Sequence, residues 1–142
     1  VIANYLSHCT GSPGAVSQKA ALMALTAPQD SIEEMRKAFE ARRNYMVERM
    51  NQIEGVSCIK PEGAFYVMMN IKKLLGTTIG GVKIESGEDF AKAFLTQGKV
   101  ALIPGEGFCA PGYVRWTYAA SMENIKEGMD RLERFLAQGT DR

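Results

Sequence analysis

Four stretches of the chain repeat apolar residues every three or four positions, and other stretches alternate them, so most elements can be predicted from pattern alone. Ile32, Met35, Phe39, Met46, Met50 and Ile53 form the longest stripe and predict a helix over 31–54. Ser31 with Glu34, or Asp30 with Glu33 one residue earlier, supplies a capping box. Glu33 and Lys37 pair at i,i+4, and Gly55 suits the position that ends the helix. At about 1.5 Å per residue it runs on the order of 35 Å. An earlier helix is predicted from Pro13 to Ala27, capped by Ser12, ended by Pro28, with Val16, Ala20, Met23 and Ala27 on one side. Residues 1–13, where Ser7, Thr10, Gly11, Ser12 and Pro13 cluster, read as loop. A third helix over 87–97 is capped by Ser86 with Asp89, buries Phe90, Ala91 and Phe94, and stops at Gly98. The last helix starts at Ser121 and turns Ile125, Met129, Leu132 and Leu136 inward; a polar tail, 138–142, follows.

Alternation marks the strands. Ala64–Ile71 carries Phe65, Val67, Met69 and Ile71 on one side and Ala64, Tyr66, Met68 and Asn70 on the other, so it reads as central. Tyr113–Tyr118 puts Val114, Trp116 and Tyr118 on one face and Tyr113, Arg115 and Thr117 on the opposite one. Short apolar runs at Val56–Ile59 and Val100–Ile103 are further strands, and the glycine-bearing stretch 72–85 is a loop or loose insertion. The fold class that follows is α/β, close to α+β: an antiparallel sheet of three or four strands with helices packed on one face.

Within this framework Arg115 stands out. A guanidinium in mid-strand, opposite the face carrying Val114 and Trp116, calls for something anionic to meet it. Gly105, Gly107 and Gly112 in the loop before it permit positive φ or close approach of a ligand, but GEG lacks the lysine and spacing of a phosphate loop. The 142 residues are 46% apolar and 23% charged, which is ordinary globular composition. A net charge of +1 supplies no basic field for nucleic acid, and no apolar window approaches a membrane span. Cys9, Cys58 and Cys109 are odd in number and far apart, which fits a reducing cytoplasm and neither a disulfide framework nor a metal site. The single histidine, His8, lacks companions for a triad or metal centre and reads as a loop or packing residue.

Three segments carry a family resemblance: Pro104-Gly105-x-x-Phe108 leading to Tyr113-Val114-Arg115, Pro61-x-Gly63-Ala64-Phe65-Tyr66, and Ser7-His8-x-Thr10-x-x-Pro13 with Gln18-x-Ala20-Ala21. Together they resemble the carboxyl-terminal part of class I/II aminotransferases, the fold-type-I enzymes that use pyridoxal phosphate, and most closely the aspartate aminotransferase branch. Departures are Gly11-Ser12 where the family has Ser-Asn, Cys109 where it has glycine, and Trp116 where it has leucine or isoleucine.

The resemblance implies that Arg115 grips the α-carboxylate of an amino acid or 2-oxo acid substrate and that Phe65 lines the pocket. It also implies that 1–30 belongs to a large cofactor-binding domain and 31–142 to the small domain, and that the enzyme is a cytoplasmic homodimer. None of the nine lysines follows a serine or threonine as the family's Schiff-base lysine does. The chain, which also opens without methionine, therefore reads as a fragment of a longer enzyme, with no catalytic or cofactor-binding residue of its own and no activity alone. Other readings are a carbon–sulfur lyase on the same scaffold, the effector or dimerisation domain of a transcription regulator, and a free-standing module that binds small acids.

Overall fold

The computed structural model describes residues 1–139, and the chain divides into two compact units, 1–34 and 35–142. The end of the expected polar tail, 140–142, lies outside the described residues.

The first unit holds α1 (Ile2–Cys9), α2 (Ala15–Thr26) and the first turn of α3 (Asp30–Gln52). The helix α1 corrects the reading of 1–13 as loop. Ser7 and Thr10, taken as loop formers, instead bond back to the carbonyls of Asn4 and Leu6 at 2.7 and 2.8 Å and so fit a helical turn. The residue preceding α2 is Gly14 rather than Ser12, and the helix ends before Pro28, which holds Ala27 extended at ψ 164°. No residue of α1 or α2 is buried.

In α3 the first turn is bonded to the Gln29 carbonyl, so Ser31 lies inside the helix rather than at its cap. Only the far half of its stripe is covered: Met46 and Met50 are buried, while Ile32 and Met35 are exposed. Gly55, at φ +90°, then turns the chain.

The second unit is built on a sheet of β1 (Ser57–Cys58), β2 (Tyr66–Asn70), β5 (Ile103–Pro104) and β6 (Tyr113–Thr117). Their order is β1-β2-β6-β5, with every neighbouring pair antiparallel. Between β2 and α4 (Gly87–Gly98) the expected loop is instead a 3₁₀ turn at Lys72–Leu74 and a hairpin of β3 (Thr78–Ile79) and β4 (Val82–Lys83). Gly80 and Gly81, both at positive φ, make the tight turn that suits strand twist, and Leu74, Ile79 and Ile84 are buried beneath it.

The Ser86 hydroxyl accepts from the Asp89 N–H as its spacing predicted, and Ser121 does the same for Asn124 at the start of α5 (Met122–Leu136). The left-handed residue that ends α4 is Lys99, φ +56°, not Gly98. Gly98 stays helical with Phe94 packed on it, where an added Cβ would lie 2.3 Å from the ring. Val100–Leu102 is unpaired, and β5 takes up only Ile103 and Pro104.

The register pairs Val67 with Trp116 and Met69 with Val114, and all of these are buried on one face. Met46, Met50, Phe90, Phe94, Met129, Leu132 and Phe135 complete the core there. The opposite face, bearing Tyr66, Met68, Asn70, Tyr113 and Arg115, is only partly covered.

Candidate functional site

Arg115 sits in the middle of that second face, opposite Met68 on β2. Tyr66, two residues along β2, is its diagonal neighbour, and the guanidinium carbon lies 4.4 Å from the centre of the tyrosine ring. From the other side Phe108 approaches to 4.5 Å. Among the described residues, none accepts a hydrogen bond from Arg115 or forms an ion pair with it. A partly buried cation stacked between aromatic rings, with its donors free, can receive a planar anion in bidentate fashion.

Phe108 is placed by the 3₁₀ turn Gly105–Phe108. Here glycine is required for space, because a Cβ on Gly105 would lie 2.3 Å from the Ala110 carbonyl oxygen. The turn is tied to the start of α4 by the Glu106 carboxylate, which accepts from the Gly87 N–H at 2.7 Å, an anion at a helix N-terminus. Gly112, at φ +76°, brings the chain back into β6, and the Lys72 ammonium lies 4.9 Å from the centre of the Tyr113 ring.

Phe65 lies in a different setting. It follows Ala64, which is held at φ +60°, and its side chain is 42% exposed. Its ring lies 6.3 Å from Phe39 and 4.4 Å from Tyr66. It lines a groove of about 400 Å³ together with Arg36, Phe39, Arg43, Glu62 and Tyr118. Tyr118 is buried, which pushes its phenol above the ordinary range against a weaker opposing pull from Arg43, and its hydroxyl donates to the Ala64 carbonyl at 2.8 Å. Among the described residues the cation–ring contacts of Arg115 are to Tyr66 and Phe108, and Tyr66 links it to Phe65. A separate recess of about 1010 Å³, beside Ile53, Leu74 and Leu136, is lined by neither Phe65 nor Arg115.

Sequence reasoning missed the flanking roles of Tyr66 and Phe108 and the Glu106 tie. The signal for Tyr66 was available, since alternation places it on the face of Arg115 in the neighbouring strand. All nine lysines are exposed, and Lys83 and Lys92 are stabilised as cations by Glu85 and Glu88. A Schiff-base lysine needs the reverse, an environment that disfavours its charge. The residues of this chain therefore do not fit pyridoxal phosphate as its covalent anchor. No group of three or more potential metal ligands gathers among the described residues.

Comparison with known proteins settles the family. The model for aminotransferase class I and II matches residues 2–132. The chain belongs to this family. Its members depend on pyridoxal phosphate in general. The chain is 42% identical over 130 residues to the aspartate aminotransferase of Bacillus sp. (strain YM-2), covering 92% of this chain and 32% of that protein. It is 39% identical over 132 residues to the aspartate/prephenate aminotransferase of Cereibacter sphaeroides, covering 92% and 33%. The solved structure of the aspartate aminotransferase from Rhizobium meliloti superposes with a TM-score of 0.88 at 34% identity, over 96% of this chain and 34% of that one. The chain thus spans about a third of the length of the relatives it matches.

Proposed function

We propose that the chain is the small-domain portion of a pyridoxal-phosphate-dependent aminotransferase that exchanges amino groups between amino acids and 2-oxo acids, with aspartate and 2-oxoglutarate the favoured pair. Residues 1–30 would belong to the large cofactor-binding domain and 31–142 to the small one. The full-length protein would work as a homodimer in the cytoplasm. Among the described residues no helix is long and apolar enough to cross a membrane.

The observation that carries this reading is Arg115, a partly buried cation on the open face of an ordered sheet, with no carboxylate of its own among the described residues. Its fork would hold the α-carboxylate by paired N–H bonds and so fix the direction of the α-carbon. Phe65 would wall the pocket from the neighbouring groove. The cofactor supplies electron withdrawal at the α-carbon when bound, and the lysine that anchors it would come from residues outside this chain.

The test is an assay of the full-length protein supplied with cofactor, measuring 2-oxo acid formed from aspartate, alanine or an aromatic amino acid. A charge-assisted bond contributes roughly 1.5–3 kcal/mol, so losing a bidentate pair in Arg115→Ala should lower kcat/KM by about 100-fold or more. Formation of no oxo acid from any of these substrates would remove the reading.

A further inference from the structure

We propose that Tyr66 and Phe108 are positioning residues for Arg115, aromatic walls that hold its guanidinium in place before a carboxylate arrives. The inference rests on the carboxylate role given to Arg115 above.

The walls come from different parts of the fold. In the strand order β2 and β5 lie on opposite sides of β6, so Tyr66 reaches Arg115 from one side and Phe108, just beyond β5, from the other. Their ring centres stand 4.4 and 4.5 Å from the same guanidinium carbon.

Both walls are themselves held. Tyr66 is packed against Phe65, with ring centres 4.4 Å apart. Phe108 belongs to a turn closed by the Cys109 N–H to the Glu106 carbonyl at 3.1 Å and the Ala110 N–H to the Gly105 carbonyl at 3.0 Å. The Glu106 carboxylate then ties that turn to Gly87 at the start of α4.

The choice of partner is informative. Arg36, Arg43, Arg49, Arg131 and Arg134 each pair with a carboxylate of the chain. Among the described residues Arg115 and Arg42 do not: Arg42 lies over the single ring of Phe39 at 5.5 Å, whereas Arg115 is held between two rings at 4.4 and 4.5 Å. A carboxylate partner would occupy the N–H donors that a substrate needs. An aromatic face stabilises the cation through its quadrupole and leaves all the donors free. It also restrains a long, flexible stem, so less freedom remains to be lost when the acid binds.

The experiment uses the full-length protein with cofactor and compares two substrates: the amino acid it transaminates fastest, and the primary amine left when the α-carboxylate is removed from that amino acid. The readout is the ratio of their kcat/KM values, together with melting temperature. Phe108→Leu and Tyr66→Leu should each lower the ratio about tenfold, through KM for the amino acid, with the amine changed less than about twofold. Phe108→Tyr and Tyr66→Phe should keep the wild-type ratio. Phe108 is 46% exposed, so its replacement should leave melting unchanged, and that arm decides the matter if Tyr66→Leu does not fold. If Phe108→Leu keeps the ratio while Arg115→Ala abolishes it, positioning is wrong and the carboxylate role stands. If Arg115→Ala also leaves the ratio intact, the role of Arg115 falls and this inference with it.

Discussion

The two faces of the β1-β2-β6-β5 sheet share the same backbone and differ in what holds their side chains. On one, Val67, Met69, Val114 and Trp116 are sealed under α3, α4 and α5. On the other, Tyr66, Met68, Tyr113 and Arg115 remain partly exposed, and the charge in the middle is met by rings instead of a counter-ion. The first face is determined by volume: apolar groups exclude water and fill space, and any residue of the right size serves. The second is determined by chemistry, because a guanidinium with free donors has value only toward something that binds there. A single strand, β6, carries both kinds of residue in alternation, so stability and recognition can be varied almost independently on it.

That contrast can be broken most forcefully from the buried side. Phe94 is fully buried, with ring centres 6.0, 5.9 and 5.2 Å from Phe90, Trp116 and Phe135. Phe94→Ala should cost about 4 kcal/mol in denaturant unfolding of the second unit, from lost transfer energy and the cavity left behind. Arg115→Ala, by the same measurement, should cost about 1 kcal/mol, the worth of its ring contacts at a site open to solvent. Equal losses would mean that the open face is structural after all.

Tyr118 lies on the buried face but sends its hydroxyl to the Ala64 carbonyl, just before central strand β2, so it sharpens the comparison by pH. Burial raises its ionisation above that of an unfolded tyrosine. Its stabilising contribution is therefore complete below about pH 10 and declines as pH rises toward the folded value, because only the unfolded chain ionises readily there. Tyr118→Phe loses the bond to the Ala64 carbonyl, at about 1 kcal/mol near neutral pH. The gap between wild type and variant, followed by urea midpoints, should narrow above about pH 10. A gap that widens there would contradict the direction given for this phenol.

How far the sequence could be read follows the same division. The buried face was legible because alternation at 114, 116 and 118 and the helical stripe at 125, 129 and 132 report burial directly. The Ser86 and Ser121 caps were legible because their bonds span only three residues. Arg115 could be singled out because its charge violates the pattern. Its flanking by Tyr66 was available from the same alternation, but that by Phe108 was not, since Phe108 depends on a turn anchored to Gly87, 19 residues from Glu106. The helix at Ile2–Cys9 was hidden by Ser7 and Thr10, whose hydroxyls bond inward to their own turn. The β3–β4 hairpin was hidden by its glycines, which read equally as loop and as a type I′ turn.

The smallest expected effect concerns the seam where the chain enters β2. Ala64 is held at φ +60°, a left-handed conformation that costs an L-residue roughly 1–2 kcal/mol and that glycine adopts freely. It is held there because its carbonyl accepts from Tyr118 and the next carbonyl, that of Phe65, accepts from the Tyr118 N–H at 2.9 Å and the Thr117 hydroxyl at 3.2 Å. Glycine at this position would relieve the strain but give the unfolded chain more freedom, a loss of roughly 0.4–1 kcal/mol. The difference favours Ala64→Gly by about 0.5 kcal/mol, visible as a small rise in urea midpoint with an unchanged slope. Ala64→Val should fall in the opposite direction and by more, since a β-branched side chain tolerates this region least. If the glycine variant is instead less stable, the methyl group does more for packing at the seam than the strain costs, and the turn into β2 is held by side-chain contact rather than by the bonds from Thr117 and Tyr118.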